Sequence, residues 1–588
     1  MKYDLLIAGF GTAGSIAAIA AARRGASVLV LEKNTYPGGT HTGGFLPGYY
    51  LQPASGLMAE IDAMVEKRIT GGTWAGGRTE VKKYILEEEA LRYGATIRYG
   101  AIPTAVEVRD GAVTGVTWDE GTRRYSAEIR QALDATGEAA LCRLAGCELT
   151  GGRASDGQFQ PFTNTMCRRG ERSIGAANFD AGRIDQTSAE ELSAGMLETL
   201  LVHLSDDYTK SMELLAPSDL PGIREGVHIV SEQQLTMEDF FSGSADCTEV
   251  VGYAYSNIDT HANDMPFEST LFQDWMIGCS MWGTALWFPL PRRALVPRGF
   301  RNLQAASRCW GVDHDLGHAL RMNAAMGTIG EAAAEWAVLA ANRNCALLEV
   351  PYGELAARLP LPPSPLPEND RFLKLDAEAV RSGLAGKTPG FAQWSSLRLP
   401  REMLLSWFAE AEDSDFKRHL AFALALRNEP AVLPLLRRMF AQRDPFQPET
   451  SRKYNHARGY VALYFLGRLA DAESVEPIGQ VLLDQQSDHR YEYASHAIGA
   501  LLRIGQAHPE RRAEIGAILR KFAEDPDQIL MARLKGTADT MKRMDGAFRI
   551  TVARTLNDWG IPHRIGETLQ KLPLDFHERR MAERLQAR

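Results

Sequence analysis

Between two short apolar runs, "YDLLIA" at residues 3–8 and "ASVLVL" at 26–31, the chain carries the hexapeptide "GFGTAG" at 9–14. That arrangement leaves few folds open. Apolar runs of this length with turn signals behind them read as buried parallel strands. The stretch "TAGSIAAIAAARRG" between them is Ala-rich, has Arg23 and Arg24 in its last turn and stops at Gly25, as a helix C-terminus does. The result is a βαβ unit with a glycine turn at its first corner. Gly9, Gly11 and Gly14 stand at the GxGxxG spacing, which permits a tight turn, close approach of a pyrophosphate to backbone N–H groups, and close helix packing. The spacing alone is a weak signal. Here a strand precedes it, a helix follows it, and Glu32 ends the next strand, where a carboxylate accepts from both ribose hydroxyls. The context predicts a dinucleotide site, and the carboxylate disfavours a 2′-phosphate.

The 588 residues exceed what one core usually serves, so two or more domains are expected. A net charge of −9 offers no broad attraction to nucleic acid or to an anionic membrane. Seven cysteines without tight repeated spacing point away from a disulfide scaffold and toward a reducing, cytoplasmic compartment. The N-terminus lacks the pattern of a signal peptide, and no run of about 18 apolar residues predicts a membrane span.

From Ala95 to Leu133 the texture turns to alternating strands, with Asp110-Gly111 as a hairpin turn. Residues 170–280 are irregular and read as a substrate-facing or cap subdomain. Residues 352–369 are Pro-dense and predict a boundary, with a linker over 346–369. Beyond it, 419–440, 460–484 and 495–522 each give an apolar helix ending near Arg427, Arg468 or Arg503, a turn, and a second helix. Periods near 40 residues resemble HEAT-type helix pairs, with an irregular helical bundle as the alternative. Solenoid repeats contact mainly their neighbours, so if the tail over 370–588 is an independent unit the FAD domain should hold its cofactor without it; otherwise the tail completes the flavin domain or its active site.

A strand ending in Ala135-Thr136-Gly137 sets a second small-residue turn beside the first, as in two-part flavin-binding domains rather than simple NAD dehydrogenases. Through GFGTAG, Glu32, PGGT (37–40), DATGEAALCRLAG (134–146), DGQFQP (156–161) and residues 294–334, the chain resembles the FAD-dependent oxidoreductases related to fumarate reductase and succinate dehydrogenase flavoproteins. The resemblance covers about residues 1–345. It implies an α/β fold, a Rossmann-like FAD-binding domain from 1–169 and 281–345 with an inserted β-rich or substrate subdomain over 170–280; the all-α helical-repeat domain behind lies outside the resemblance. It also implies FAD contacts from Gly9, Gly11, Thr12, Ala13, Gly14, Glu32, Lys33, Gly38, Gly39, Thr40, His41, Thr42, Gly43, Ala135, Thr136, Gly137, Arg308, Asn323, Met326 and Gly327. Gly38, Gly39, Gly43 and Gly44 are expected to let the backbone pass close to the flavin. Ser307 departs from the family, which usually has Gly there, and a positive φ at that point would strain it.

Such an enzyme moves a hydride between flavin N5 and a small polar substrate, with a base and cations fixing the substrate. Arg308, Asp313, His314, Asp315, His318 and Arg321 are the richest cluster for this, with His314 as base and Arg321 on a substrate anion or the flavin. His41 stands where fumarate reductase relatives bond a His to the flavin 8α carbon, and it either carries that bond or stacks on the ring and contacts substrate. Cys142 and Cys147 read as buried structural thiols. No metal-ligand motif stands out, the polar groups of "GVDHDLGH" being assigned to the flavin site. The competing function class is an interaction protein whose helical tail binds a partner or a second copy and whose FAD is structural or sensory.

Overall fold

The computed structural model describes residues 1–70, 77–169, 174–180, 182–203, 213–262, 264–450, 455–484, 490–530 and 545–586. Strands β1 (Lys2–Ala8) and β2 (Val28–Glu32) flank helix α1 (Thr12–Arg23), and the strands pair in parallel with Leu5 opposite Val28. All of β2 is buried, as befits a parallel strand covered on both faces. Helices α2 (Gly56–Thr70) and α3 (Arg78–Arg92) lead to β3 (Thr96–Tyr99), parallel to β2. Strands β4 (Ala101–Arg109), β5 (Ala112–Glu120) and β6 (Arg123–Asp134) form an antiparallel meander. Asp110 and Gly111 both take positive φ, +50° and +71°, in the turn between β4 and β5, as a type I′ hairpin requires.

The sheet order is β3-β2-β1-β6-β5-β4, and β6 is its junction. Its first half pairs with β5, while its second half pairs in parallel with β1 and with a returning strand at Leu303–Ala305. Behind that strand the Asn323–Arg343 helix lies along α1. Both helices are rich in Ala and Gly for a steric reason: a Cβ on Gly330 would stand 2.3 Å from the Ala13 carbonyl oxygen. This is the α/β fold the glycine turn predicts.

Between Gly151 and Pro291 the chain builds smaller antiparallel pieces, Thr163–Arg169 with Ile174–Asp180 and Glu213–Pro217, and Val250–Ser256 with Leu286–Pro291. Part of the expected insert, 170–173, 181, 204–212 and 263, lies outside the described residues. The stretch expected as a linker forms helical turns at Leu347–Glu349, Tyr352–Ala356 and Leu366–Asn369. These are strapped down: Trp336 Nε1 donates to the Leu347 carbonyl at 2.7 Å, Arg292 Nη1 to that of Val350 at 2.8 Å, and Leu355 is fully buried. Proline breaks the helix there without freeing the chain.

The described residues from 370 onward are helices and turns. Arg427 donates to the carbonyls of Ser396 and Leu399, and Arg468 to those of Ala425 and Leu426, so each closes carbonyls left open where the preceding helix ends. Arg503 lies over the Tyr464 ring instead. This region does not hang free. Asp274, buried in a π-helical turn at Asp274–Gly278, accepts from Arg468 Nη2 at 2.9 Å and from the Tyr464 hydroxyl at 2.6 Å. Trp275 meets Trp394 edge-on, Phe267 packs on Phe548, and His577 Nδ1 bonds Glu191 at 2.6 Å. One hydrophobic core runs from Leu5 to Ala582. An independent tail does not fit this packing, because the insert's aromatic residues have their cover in the helices. All seven cysteines are free thiols, and no described helix is long and apolar enough to cross a membrane.

Burial holds the Asp274 carboxyl above its usual range even with Arg468 beside it. Arg468→Met removes the cation and leaves a buried acid unmatched, a loss of about 3–5 kcal/mol for such pairs. A calorimetric scan should show Tm falling by several degrees in a single transition shared by both regions. Two separated transitions with the first unmoved would refute the shared core.

Candidate functional site

The glycine turn separates into two kinds of position. Gly9 has φ +90° and a Cβ there would lie 2.6 Å from the Ala135 carbonyl oxygen, while one on Gly14 would lie 2.0 Å from the Gly9 oxygen. Both must be glycine for the protein's own backbone to close. Gly11 differs: no atom lies within 4 Å of its Cβ position, at the N-cap of α1. Free space against open N–H groups at a helix N-terminus is a cradle for a pyrophosphate. Thr12 Oγ1 donates to the Gly38 carbonyl at 3.1 Å, and Gly38 N to that of Phe10 at 2.8 Å, which lays the 38–44 loop on the turn. Ala13 faces the Asn323–Arg343 helix. The Glu32 carboxylate accepts from Phe10 N at 2.6 Å and from Asn34 N at 2.8 Å, so it also braces the turn it was expected to serve through ribose. Lys33 and Thr40 are exposed.

On the opposite side β6 ends beside β1, with Ala135 N donating to the Ala8 carbonyl at 2.7 Å. Thr136 Oγ1 donates to Asp134 at 2.7 Å, and Gly137, at φ +83°, donates its N–H to Ser307 Oγ at 3.1 Å. Ser307 is not among the positive-φ residues, so the hydroxyl at the departing position adds a bond without strain. The Arg308 guanidinium lies against Gly137 and pairs with Glu138. Asn323 Nδ2 reaches the Leu46 carbonyl at 3.3 Å, joining the loop to the start of its helix.

Several expected flavin contacts have other partners. A Cβ on Gly43 would meet the Tyr36 ring at 2.4 Å, one on Gly44 the Thr40 carbonyl oxygen at 2.7 Å, and one on Gly327 the Met58 sulfur at 2.7 Å. Their smallness accommodates the protein itself. Thr42 is buried and returns its hydroxyl to Pro37, and Met326 is buried in the core. His41 is corrected most: its ring is 1% exposed, takes a hydrogen bond from Lys82 Nζ at 2.8 Å and lies edge-on to Tyr49. Lys82 is itself held by Asp62 at 2.6 Å. Burial, and then the Lys82 charge, bring the His41 imidazole down to about 3, so it stays neutral. A ring enclosed on all sides has no face to offer a flavin.

The second cluster is a buried ionic network beside the 305–323 segment. His314 follows Asp313, which caps its short helix by accepting from Leu316 N at 2.8 Å. His314 Nδ1 donates to Glu225 at 2.8 Å and Nε2 to Glu268 at 3.0 Å. Burial alone would lower this imidazole, but the two carboxylates overcome it and hold it well above its ordinary range. With both nitrogens donating, His314 is not poised as the expected base. Arg321 is engaged by Asp259 at 3.3 Å, which likewise matches the charge expected for a substrate anion. Asp315 accepts from Ser269 Oγ at 2.5 Å, and burial brings it up to about 7.

Sequence reasoning missed most of this network. Arg153 Nη1 bonds Glu268 at 3.0 Å, its other nitrogens bond Asp156 and Asp264 at 2.7 Å, and Arg183 bonds Asp264 at 2.6 Å. Asp156 and Gln160 lie in the DGQFQP motif, a signal already noted; Arg153, Arg183, Glu225, Asp264 and Glu268 carry no local signature. Besides His318, both of whose ring nitrogens are buried without hydrogen-bond partners, two groups in this region are left so: both amide atoms of Gln160, and His228 Nε2. They flank Gly317, at 3.5 and 3.8 Å from its Cβ position.

The family model for "FAD dependent oxidoreductase" matches residues 4–199 and 182–359. The vinyl phenol reductase of Lactiplantibacillus plantarum is 37% identical over 112 residues, 17% of this chain and 23% of that protein. Digeranylgeranylglycerophospholipid reductase 2 of Methanothermobacter thermautotrophicus is 31% identical over 173 residues, 26% of this chain and 45% of that protein. The aligned stretches thus span less than half of either relative. A flavin-dependent brominase of known structure overlays 68% of this chain and 92% of its own at 13% identity and a TM-score of 0.34.

Gly11→Val places methyl groups in the cradle alone. It should give a soluble, colourless protein, whereas Gly14→Ala should fail to fold; Gly11→Val protein retaining one FAD per chain would move the pyrophosphate elsewhere. Acid precipitation of the wild type should leave its FAD in the supernatant, because His41 is enclosed. A yellow pellet that His41→Ala abolishes would reverse that placement.

Proposed function

Because the chain belongs to the FAD dependent oxidoreductase family and FAD is its cofactor, we propose that this enzyme transfers a hydride between a small polar organic substrate and flavin N5. The observation that carries the polar substrate is the unpaired state of Gln160 and His228. A buried amide or imidazole left without a partner costs about 1–3 kcal/mol, which a ligand offsets with an oxygen that accepts from the Gln160 amide and a hydroxyl that donates to His228 Nε2, whose Nδ1 carries the proton given to Trp310.

In this reading the N–H groups at the start of α1, with Gly11, hold the pyrophosphate, and Glu32 receives the ribose. Arg308 and Thr136 would line the second side, and the N-terminus of the Asn323–Arg343 helix would offer a dipole that favours negative charge on the reduced flavin. Bound FAD supplies a two-electron carrier for hydride transfer. The Gln160 amide donates to, and His228 Nε2 bonds, the substrate's polar groups, while His228 Nδ1 is oriented by the Trp310 carbonyl at 3.1 Å. Burial lowers the His228 imidazole, so it acts as a neutral hydrogen-bonding group. His314 and Arg321 serve by fixed charge, holding Glu225, Glu268 and Asp259 in place. The free thiols suit a reducing, cytoplasmic setting.

Anaerobic mixing of the FAD-loaded protein with hydroxy acids, unsaturated acids and sugars should bleach the flavin with at least one class. With that substrate, Gln160→Leu should raise KM about tenfold, one lost hydrogen bond, while leaving dithionite reduction unchanged. Protein that dithionite bleaches but no polar metabolite does would favour a structural or sensory flavin.

A further inference from the structure

Glu268 ends the turn at Met265–Phe267, and His314 and His318 stand one helical turn apart behind Asp313. One donor atom from each lies within 4.8 Å of the other two, and Glu268 Oε2 is 3.0 Å from His314 Nε2. We propose that these three side chains bind one divalent first-row transition-metal ion.

Three observations carry this. The His318 ring is fully buried and both its nitrogens lack hydrogen-bond partners, so the fold conceals a ligand atom with nothing to bind. Leaving such a group unpaired costs about 1–3 kcal/mol per site. The second observation is that the other two ligands have their remaining atoms anchored. His314 Nδ1 is held by Glu225, whose oxygens also accept from Gly152 N at 3.0 Å and Gln160 N at 2.7 Å, and Glu268 Oε1 is held by Arg153 at 3.0 Å. This is the outer shell that orients a metal-binding imidazole and carboxylate. The third is the division of labour within one carboxylate: Arg153 and Arg183 reach Glu268 through Oε1 alone, which leaves Oε2, now against His314 Nε2, for the cation.

Two imidazoles and one carboxylate are the donor set of ions such as Fe2+, Zn2+ and Co2+. With bonds of about 2.1 Å, a shift of about 1.5 Å in one side chain closes the set and leaves positions for water. The ion takes the place of the proton on His314 Nε2 and supplies in its stead the positive charge that holds Glu225 and Glu268, so binding releases a proton to solvent. This proposal departs from the expectation, read from the sequence, that the chain holds no metal. The sequence alone shows the His pair but not the carboxylate, which comes from a distant turn.

The test uses full-length, FAD-loaded protein treated with chelator, dialysed, and titrated with Co2+ while the flavin spectrum is recorded. One Co2+ per chain, with visible d–d bands and proton release, is expected. His318→Ala should abolish stoichiometric binding, and Glu225→Gln should weaken it about 10–100-fold, both with FAD retained. Should His318→Ala fail to fold, Glu225→Gln and the wild-type titration decide. A wild type that takes up no stoichiometric Co2+ or Zn2+, or variants that bind as tightly as wild type, overturns the proposal. Because the readout is metal content and spectrum, it stands or falls separately from substrate turnover.

Discussion

At the centre of this protein backbone meets backbone with no side chain between. Gly14 lies over the Gly9 carbonyl, Gly9 over that of Ala135, and Gly330 over that of Ala13. These contacts set how near α1, the end of β6 and the returning helix come to one another. Interiors are close-packed, so a single methyl group at any of them displaces an element rather than filling a void. The same closeness leaves Gly11 as the one open glycine of the turn, with free space at the start of α1 once the rest has closed.

The second constraint is electrostatic. Carboxylates and guanidinium groups are expensive to remove from water, and each must find partners where it is buried. Arg153 alone satisfies three carboxylates, and burial alone would lower its pKa, yet Asp264 and Glu268 hold it well above the ordinary range. The network joins the 151–160 turn, the 225–228 segment, the 264–268 turn and the 313–321 segment into one rigid wall. Against that wall, the Gln160 side-chain amide, His228 Nε2 and the two ring nitrogens of His318 stand out because they are buried without hydrogen-bond partners. The helical region closes the other side through Asp274, Trp275 and Phe267, which ties the order of the wall to helices lying hundreds of residues downstream.

What the sequence by itself determined is what neighbouring residues dictate: the βαβ unit from apolar runs and a glycine turn, the hairpin at Asp110-Gly111 from its φ requirement, and the helix pairs from their apolar spacing. The cofactor was legible because its cradle is local, a strand end, a turn and a helix start within a few residues. Tertiary structure alone decided which glycines the chain's own packing requires and which leave open space, since that depends on what each Cβ position faces. It turned His41 away, because Lys82, Asp62 and Tyr49 from separate elements enclose it. It also brought Glu268 to His314 and matched Arg321 with Asp259. No periodicity or spacing encodes those meetings, because a buried charge finds its partner through the packing of the whole core.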